Sequence, residues 1–593
     1  MCGIFFWLCE REDEAVARRA FETIVHRGPD HSGFEREGDA YWGCHRLAVI
    51  DPHNALANQP IRCNGQRAGL SAIVCNGQIY NFRELGVGEH DVTVLLEALA
   101  HADVNADGGR LDSASARAFF ERVDGDFACV ATLPGARWLL ARDPAGVRPL
   151  FWLRNRTGKL VAASSETKAL VPLLQYRDEE GDVIEDFPPG GVYCDGEMTG
   201  PRHMADAAAE AEAEAEAEAV QNRVRELLRD AVVKRLRHAA EGQGYVGVLL
   251  SGGLDSSLVA CIAHEYLVSQ GRGHELRTYS VSFEGRGVDA EYARMLVDHM
   301  GIGAQHTEVR FDMAEALAAV GSVVHHCETS DAPTIRAGIP MYLLARHIRS
   351  ETPHKVILSG EGADEAFMGY PYFRLSPSAA EAGRESRRLL ENIHAFDVLR
   401  ADRCMSAHNL ELRCPFLDEA LLRYVQERVP PAFLLPSNGV EKHLLRAAHR
   451  DVYPALVATR IIDRMKEKMS HGCGLDYVPS LLRSIPNRDE DTFYRAAFTA
   501  SGADRGEAAL GNSVADLSAS WTVPRVMPEW STPPVDDGAA DWSKHAKPDP
   551  STLTTQELAE RERRNKEEMD AKLSALLLER AAPHQYVVTE ASR

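Results

Sequence analysis

The distribution of hydrophobic residues divides the chain into two parts with different predicted structure. Up to about residue 200, short apolar runs are interrupted by turn-forming residues, and such runs predict β-strands. Examples are residues 69–74, followed by Cys75-Asn76-Gly77, and residues 127–132, followed by Leu133-Pro134-Gly135. Residues 91–100 instead carry apolar side chains at helical spacing. This part is therefore predicted to contain many short strands and some helices.

From residue 245 the strands become apolar throughout and alternate with helices. Residues 246–250 form an unbroken apolar run, followed by a Gly-rich turn and an apolar helix over 257–268. The pattern continues with a strand over 276–283, a helix over 290–300 and a strand over 355–358. Strands alternating with helices predict an α/β, doubly wound parallel sheet, whose ligands bind at the carboxyl ends of the strands.

Between these parts, residues 207–219 are almost entirely alanine and glutamate, which favour helix over strand. This segment is interpreted as an acidic helix or a flexible spacer, and the helical pattern continues over 223–236. After about residue 505 apolar periodicity is poor, apart from a charged helix predicted over 554–580. The predicted organisation is a first domain over 2–200, an Ala/Glu-rich linker over 201–222, a second domain over 223–545 and a charged helical or disordered tail over 546–593.

Length and charge narrow the function classes. A chain of 593 residues exceeds the size of a single core, which rarely grows beyond about 250–300 residues. The formal net charge of −22 argues against a general nucleic-acid partner. The 12 scattered cysteines predict reduced thiols in a cytoplasmic protein, and no apolar run predicts a membrane helix or a signal sequence.

Cys2 is a candidate nucleophile because it becomes the N-terminal residue once Met1 is removed. Its own α-amine, with an ordinary pKa of roughly 7.7–8.0, can then accept the proton of its thiol. One residue would thus supply both nucleophile and base.

Further motifs follow Cys2 in a fixed order and give the first part a family resemblance. They are His26-Arg27-Gly28-Pro29-Asp30, His45-Arg46-Leu47, Cys75-Asn76-Gly77-Gln78-Ile79-Tyr80-Asn81 and Arg142-Asp143-Pro144-Ala145-Gly146-Val147-Arg148-Pro149-Leu150. With Cys2, these motifs resemble the class II glutamine amidotransferases over residues 2 to about 195. The resemblance implies an α+β N-terminal-nucleophile hydrolase sandwich, with stacked antiparallel sheets and helices.

The resemblance also assigns roles in glutamine hydrolysis. The Asn76 side-chain amide and the Gly77 backbone N–H would stabilise the oxyanion of the tetrahedral intermediate. Arg46 would bind the α-carboxylate of glutamine and Asp91 its α-ammonium group, with Asn76 also touching the substrate. The family usually has Glu where this chain has Gln78, so the ammonium group is expected to lose one charged partner.

The Gly-rich turn of the second part reads Ser251-Gly252-Gly253-Leu254-Asp255-Ser256-Ser257 and lies between the predicted strand and helix. Backbone N–H groups, serine hydroxyls and the helix N-terminus can together form an anion cradle. The turn lacks the lysine of a γ-phosphate-binding loop. It resembles the pyrophosphate loop of ATP pyrophosphatases, which implies ATP as substrate and Mg²⁺ held by Asp255.

Other motifs resemble those of asparagine synthetases over about 245–475. They are Ser359-Gly360-Glu361-Gly362-Ala363-Asp364-Glu365, Thr334-Ile335-Arg336, Pro340-Met341-Tyr342-Leu343, Met405-Ser406-Ala407, Arg413-Cys414-Pro415-Phe416-Leu417-Asp418 and Lys466-Glu467. By this resemblance Leu250, Ser282, Ser359 and Gly360 surround AMP. Glu361 would deprotonate the attacking ammonium.

Arg336 and Lys466 would stabilise phosphates and the anionic aspartyl intermediate, because pyrophosphate departure builds negative charge. The expected function is therefore glutamine-dependent asparagine synthesis, with glutamine, aspartate and ATP as small-molecule partners. A homodimer is compatible with the sequence. Two alternatives remain: an adenylating cyclase similar to β-lactam synthetase, which needs no glutaminase nucleophile, and an inactive interaction protein.

Overall fold

The computed structural model describes residues 1–500 with several gaps. The residues outside the description are 10–12, 51, 63–71, 87, 89, 104–110, 134–136, 178, 201–216, 238–244, 436–439, 466–471 and 501–593. The predicted Ala/Glu segment up to residue 216 and the predicted tail helix over 554–580 therefore lie outside the described residues.

The first part of the chain is built mainly from short strands. Its elements are β1 (Gly3–Leu8), α1 (Glu14–Glu22), β2 (His31–Glu37), β3 (Ala40–Arg46), β4 (Ile61–Arg62), β5 (Ala72–Ile79), α2 (Phe82–Leu85), α3 (Asp91–Asp103), α4 (Ser113–Phe120), β6 (Gly125–Leu133), β7 (Arg137–Arg142), β8 (Phe151–Arg154), β9 (Leu160–Ser164), α5 (Val171–Arg177), β10 (Val183–Asp186), β11 (Val192–Cys194) and β12 (Glu197–Thr199). The strands form two six-stranded sheets, ordered β10-β8-β9-β1-β3-β2 and β12-β11-β7-β6-β5-β4.

The two sheets stack face to face with helices outside them. Apolar side chains of both sheets meet in one core, to which Phe6 and Trp42 contribute from the first sheet and Val74 and Val130 from the second. A second core packs α1 and α5 on the first sheet, and a third packs α3 and α4 on the second. This arrangement of stacked antiparallel sheets and outer helices confirms the predicted sandwich.

The turn predicted at Cys75-Asn76-Gly77 is wrong, because β5 runs through these residues to Ile79. Asn76 lies opposite Ala128 of β6 and Gly77 opposite Phe127. A Cβ on Gly77 would lie 2.0 Å from the Asp126 carbonyl oxygen, and the residue has φ of 143°. Glycine is therefore required for the close approach of two strands, rather than for a turn.

The second part of the chain alternates helices and parallel strands. Its elements are α6 (Ala217–Arg237), β13 (Val246–Leu249), α7 (Leu254–Ser269), β14 (Leu276–Phe283), α8 (Val288–His299), β15 (His306–Phe311), α9 (Met313–Cys327), α10 (Ala332–Glu351), β16 (Val356–Leu358), α11 (Ala363–Ala366), α12 (Ala379–Asn392), α13 (Asp397–Ser406), β17 (Glu411–Arg413), α14 (Glu419–Glu427), α15 (Pro431–Leu434), α16 (His443–His449), α17 (Pro454–Ala458), α18 (Tyr477–Ser484) and α19 (Glu490–Ala500).

Short 3-10 turns connect several elements of both parts. They comprise Val25–Arg27, Ala55–Ala57, Thr167–Ala169, Gly273–Glu275, Gly303–Gln305, Pro371–Leu375, Ile393–Ala395, Pro415–Leu417, Ile461–Asp463 and Pro486–Arg488.

The parallel sheet has the order β15-β14-β13-β16-β17. The chain moves outward from β13 through β14 to β15, then returns to the other side of β13 to form β16. This reversal confirms the doubly wound prediction and creates a crevice beyond the carboxyl ends of β13 and β16. Both Gly-rich turns follow these two strands, so the topology brings them together.

The two parts pack closely against each other. Helix α6 begins at Ala217, inside the predicted linker, and Arg235 near its end contacts Asp126 of β6 at 2.9 Å and Asp418 at 2.8 Å. Arg148 Nη1 in turn donates to the Leu412 carbonyl oxygen of β17 at 2.9 Å. Among the helices within the described ranges, none is long and apolar enough to cross a membrane.

Candidate active sites

Cys2 immediately precedes β1 and is half-buried between the two sheets. Its Sγ lies 3.9 Å from the Leu47 carbonyl oxygen. The pKa of the thiol is lowered to about 7, chiefly by a hydrogen bond from the Cys44 side chain, while burial acts in the opposite direction. A large fraction of the thiol is therefore ionised near neutral pH, as a nucleophile requires.

Met1 precedes Cys2 in the chain and is almost fully buried. Its Sδ accepts a hydrogen bond from Arg148 Nη1 at 2.7 Å, and burial lowers the pKa of its α-amine to about 5. As long as Met1 is present, Cys2 has an amide in place of an amine. Removal of Met1 is therefore a chemical requirement of the predicted mechanism.

Asn76 lies on β5 with its side chain fully buried. Among the described residues, neither its Nδ2 nor its Oδ1 has a hydrogen-bond partner. Val74, two residues earlier on β5, belongs to the core between the sheets against which Cys2 packs, so Asn76 faces the same core. A buried amide without a partner is costly unless a ligand completes it, so Asn76 is well suited to donate to an oxyanion formed at Cys2.

Gln78 lies near the end of β5, and Asp91 is hydrogen-bonded to the next residue of that strand. Gln78 is buried, and its Oε1 has no hydrogen-bond partner within the described part of the chain. Asp91 opens α3, and its two carboxylate oxygens accept the backbone N–H groups of Ile79 and Val92, both at 2.9 Å. These contacts hold the Asp91 carboxylate one residue away from Gln78, as a shared ammonium pocket requires.

Arg46 ends β3 and is buried against the following loop. Its Nη1 donates to Asn58 Oδ1 at 2.9 Å and its Nη2 to the Ile50 carbonyl oxygen at 3.1 Å. The guanidinium therefore supports Ile50 and Asn58, which follow β3. Its expected contact with a glutamine carboxylate stays a prediction.

The segment from Ser251 to Ser257 connects β13 to α7 as predicted, and its last four residues form the first turn of the helix. Ser251 and Ser256 hold the turn, because their hydroxyl oxygens lie 3.0 Å apart and Ser256 Oγ also accepts the Ser251 N–H at 3.1 Å. Gly252 has φ of 71°, and a Cβ there would lie 2.6 Å from Ala293 N of α8. Ser257 Oγ is buried and has no hydrogen-bond partner among the described residues, which suits a ligand contact.

The second Gly-rich turn packs directly on the first. A Cβ on Gly360 would lie 2.9 Å from Asp255 Cβ and 3.0 Å from Ser256 N. Ser359 follows β16, and its Oγ accepts the Glu361 N–H at 3.4 Å. The Glu361 carboxylate accepts a hydrogen bond from Arg400 Nη2 of α13 at 3.0 Å. Glu361 is therefore close to the nucleotide loop and already paired with a cation.

Leu250 and Ser282 lie at the carboxyl ends of β13 and β14. The Leu250 N–H donates to the Tyr279 carbonyl oxygen at 2.7 Å, which continues the strand pairing by one residue. Ser282 is fully buried, and its hydroxyl donates to Glu308 Oε1 of β15 at 2.6 Å. Both residues therefore lie at the predicted edge, although the Ser282 hydroxyl is engaged within the sheet.

Of the two predicted cationic residues, the structure describes only Arg336, whose side chain is engaged away from the loop. Arg336 lies on α10, and its Nε donates to Glu490 Oε2 of α19 at 2.7 Å, with a second contact through Nη2. Lys466 lies outside the described residues. The roles of both stay predictions.

A cation that the sequence analysis missed lies at the centre of this site. The Lys442 ammonium is almost fully buried, forms an ion pair with Asp255 Oδ2 and lies 2.7 Å from Asp364 Oδ1. Lys442 is 187 residues from Asp255 along the chain and immediately precedes α16. No spacing rule connects such distant positions, so only the tertiary structure identifies the contact.

Glu365 is a buried acid of this region to which the sequence analysis assigned no role. Burial, together with Asp397 and Asp364 nearby, raises the pKa of its carboxyl to about 8. Tyr370 donates a hydrogen bond to Glu365 Oε1. The sequence signal was present, because Glu365 closes the second Gly-rich motif.

The fold and the two sites define an ATP-dependent amidotransferase: a cysteine-nucleophile sandwich joined to a nucleotide-binding parallel sheet. A family model described as a glutamine amidotransferase domain matches residues 1–184, and one described as asparagine synthase matches residues 223–383 and 374–513. The asparagine synthetase [glutamine-hydrolyzing] of Homo sapiens is 36% identical over 498 residues, covering 80% of this chain and 84% of that protein. The corresponding proteins of Gallus gallus and Mus musculus are also 36% identical, over 499 and 498 residues. The chain belongs to the glutamine-hydrolysing asparagine synthetase family.

Proposed function

We propose that this chain synthesises asparagine from aspartate, ATP and glutamine. Glutamine is hydrolysed at Cys2, the ammonia passes through the interior to the second site, and aspartate activated as β-aspartyl-AMP is amidated. The observation that carries the proposal is the unpartnered, buried Asn76 amide in the sandwich that also holds the Cys2 thiol of lowered pKa, in the same chain as the paired Gly-rich turns. Membership of the family supports the complete reaction.

In the glutaminase step, the α-amine exposed by removal of Met1 takes the proton of the Cys2 thiol. The thiolate attacks the side-chain carbonyl carbon of glutamine, and the oxyanion accepts hydrogen bonds from Asn76 Nδ2 and Gly77 N–H. Ammonia leaves with the proton returned from the amine, and water hydrolyses the thioester to glutamate. Loss of one oxyanion donor typically costs about 10²–10³ in rate.

Recognition of free glutamine requires contacts at its α-carbon. Asp91 offers a carboxylate, and Gln78 Oε1 an amide oxygen, to the α-ammonium group. Arg46 binds the α-carboxylate. Its hydrogen bonds with Asn58 and Ile50 hold the guanidinium in position for this contact. The absence of a Glu at position 78 weakens this recognition without altering the reacting atoms.

In the synthetase step, the backbone N–H groups of the turn from Ser251 to Ser257 bind the pyrophosphate portion of ATP. AMP and pyrophosphate, rather than ADP and phosphate, are therefore the expected products. Leu250, Ser282, Ser359 and Gly360 surround the adenosine monophosphate. We add Lys442 to Arg336 and Lys466 as cations that stabilise the phosphates and the aspartyl intermediate, because its ammonium forms an ion pair with Asp255 of this segment.

One acidic residue from each Gly-rich motif, Asp255 from the first and Asp364 from the second, fits the Mg²⁺ that the family resemblance implies. Asp255 and Asp364 converge on one point, now held by the Lys442 ammonium, and carboxylate oxygens are the protein ligands that Mg²⁺ prefers. Asp255 and Asp364 would hold the ion together with phosphate oxygens. When bound, Mg²⁺ neutralises charge on the departing pyrophosphate.

Glu361 is proposed as the base that receives ammonia in the second site. Ammonium has no lone pair with which to attack the adenylate, so a carboxylate must take its proton. Glu361 lies in the turn after β16, next to the loop that binds ATP. Arg400, its present partner, must yield this carboxylate to the incoming ammonium.

The remaining expectations from the sequence stay predictions. We also propose a division into domains at 2–200, 201–222, 223–545 and 546–593. A homodimeric state and a cytoplasmic location are likewise proposed.

The decisive test replaces Cys2 by Ala. Cys2→Ala is expected to abolish glutamine hydrolysis, because no thiol remains, and to leave ammonia-dependent asparagine synthesis within about twofold of wild type, since the nucleotide site is untouched. Glutamate, AMP and asparagine are quantified with glutamine or ammonium as the nitrogen donor. Residual glutamine hydrolysis in Cys2→Ala would refute the assignment of the nucleophile.

A further inference from the structure

A cluster of buried charges joins the two parts of the chain around Arg27. This residue ends the short turn before the Gly28-Pro29 dipeptide and is fully buried. Its Nη1 donates to Glu166 Oε1 of its own part at 2.7 Å and to Asp402 Oδ2 at 2.8 Å, and its Nη2 donates to Asp402 Oδ1 at 3.1 Å. Asp402 belongs to α13 of the other part, so a two-pronged ion pair crosses the boundary.

The remaining donor of Arg27 reaches the residue that carries the nucleophile. Arg27 Nε donates to the Cys2 carbonyl oxygen at 3.0 Å. Cys2 lies before β1, whose pairing with β3 begins at Gly3 opposite His45. Because the peptide group is planar, fixing this carbonyl fixes the peptide plane between Cys2 and Gly3, and with it the position of the Cys2 Cα that bears the thiol and the amine.

The charges around Glu166 make Asp402 important for the orientation of Arg27. Glu166 contacts not only Arg27 but also Arg403 Nη1 at 2.6 Å and Lys168 Nζ at 2.6 Å. Glu166 is thus shared among several cations, whereas Asp402 receives both terminal nitrogens of Arg27. Without the Asp402 charge, Arg27 would be drawn toward Glu166 and away from its present position under Cys2.

We propose that Asp402, a residue of the synthetase part, is a positioning residue for the glutaminase nucleophile and acts through Arg27. The neighbouring Ser406 on α13 assists, since its Oγ accepts from Arg27 Nη1 at 3.2 Å. The glutaminase site is therefore completed by a helix of the other part. This inference rests on the proposed role of Cys2.

The test is Asp402→Asn in the full chain, which keeps the shape and removes the charge. Displacement of a reacting group by about 1 Å can cost about 10²-fold in rate, so we expect the kcat of glutamine hydrolysis to fall roughly 10–100-fold. The KM for glutamine should stay within about twofold, because Asp402 does not touch the substrate. Ammonia-dependent asparagine synthesis should be retained, and Asp402→Glu should recover part of the kcat.

Asp124→Asn is the matched control. Asp124 also forms an ion pair across the boundary, with Lys234 Nζ at 2.6 Å, but has no connection to Arg27 among the contacts of the described residues. Its glutaminase kcat should equal that of wild type. A double variant provides a second readout: Arg27→Lys combined with Asp402→Asn should be no slower than Arg27→Lys alone, because both act through the same contact.

Two results would overturn the proposal. One is a wild-type kcat in Asp402→Asn, and the other is a parallel loss of glutamine- and ammonia-dependent activity, which would mark Asp402 as a folding residue. If Asp402→Asn does not fold, Ser406→Ala replaces it, with a smaller loss of kcat expected and an unchanged kcat counting against the proposal. Cys2→Ala, run in parallel, separates this outcome from a failure of the nucleophile assignment, which would leave hydrolysis in that variant.

Discussion

Gln78 places its side-chain carbonyl oxygen in the interior of the first part, at the position where the family usually has a charged residue. Among the described residues this oxygen has no partner, while Asp91 next to it accepts two backbone N–H groups. An unmatched buried acceptor beside a carboxylate suits an ammonium ligand. In the proposed function, the identity of this single side chain sets how tightly glutamine is held.

Restoring the charge at this position is expected to strengthen glutamine binding. A charge-assisted contact to a desolvated ammonium is worth about 1–2 kcal/mol more than a neutral one, or roughly 5–30-fold in affinity. Gln78→Glu should lower the KM for glutamine by this factor with kcat nearly unchanged, because the contact is the same in the ground and transition states. Steady-state glutaminase assays check this, and a KM that stays equal or rises would show that the pocket binds the ammonium by other groups.

The reactivity of Cys2 is expected to depend on its neighbour Cys44. The hydrogen bond from Cys44 stabilises the thiolate and is the largest cause of the lowered pKa of about 7, so reactivity should rise as the pH increases through 7. In Cys44→Ala this donor is lost, and the midpoint should move to higher pH. Rates of Cys2 alkylation by iodoacetamide between pH 5 and about pH 10 measure the midpoint.

Cys129→Ala serves as the control for this experiment, because the buried Cys129 thiol lies on β6 and is not among the groups that shift Cys2. Its alkylation profile should coincide with that of wild type. If the profiles of Cys44→Ala and wild type coincide instead, Cys44 does not lower the pKa of the Cys2 thiol.

At the scale of elements, the turn between β16 and α11 and the helix α13 bring the sites together. The turn packs on the ATP loop through Gly360, and it presents Glu361 to Arg400 of α13. Two residues further along α13 lies Asp402, which forms an ion pair with Arg27. A single helix of ten residues thus contacts groups of both candidate sites.

Glu361→Gln is expected to separate the two halves of the synthetase reaction. The variant should still form β-aspartyl-AMP and release pyrophosphate, but it should not amidate the intermediate, because the amide cannot take a proton from ammonium. Pyrophosphate release and asparagine are measured side by side, with the exposed Glu381→Gln of α12 as control. Loss of both signals in Glu361→Gln would make this residue part of the ATP-binding apparatus instead.

At the scale of the whole molecule, charged residues lie buried between the two parts. Arg235 is almost fully buried, contacts Asp126 of one part and Asp418 of the other, and lies 4.9 Å from the centre of the Tyr80 ring. Such an arrangement compensates the charge only while all partners are in place. The two parts are therefore expected to lose stability together when Arg235 is removed.

Arg235→Met should lower the free energy of unfolding by about 3–5 kcal/mol, since it leaves two buried carboxylates with less compensation. Arg223→Met on the same helix, at an exposed pair with Glu226, should change it by less than about 1 kcal/mol. Denaturant unfolding followed by tryptophan fluorescence and circular dichroism compares the two. Equal stability of both variants would show that Arg235 contributes little to holding the parts together.

Much of the architecture could be predicted from local patterns. The strand over 276–283 coincides with β14, and helices over 91–100 and 290–300 agree with α3 and α8 within a few residues. The prediction failed at Cys75-Asn76-Gly77, where an Asn-Gly pair normally favours a turn. There the continuous pairing of β5 with β6 outweighs the local preference, and Gly77 serves the approach of the two strands.

The sequence by itself determined the candidate groups for the proposed chemistry: Cys2, the Asn76-Gly77 pair and the two Gly-rich turns are contiguous motifs that can be recognised without the fold. Only the tertiary structure decided which distant groups surround them. Lys442 meets Asp255 across 187 residues, and Asp402 meets Arg27 across 375. Ion pairs of this kind depend on how sheets and helices pack, and packing is set by the sum of many weak apolar contacts, which leaves no periodic signal in the sequence at the charged residues themselves.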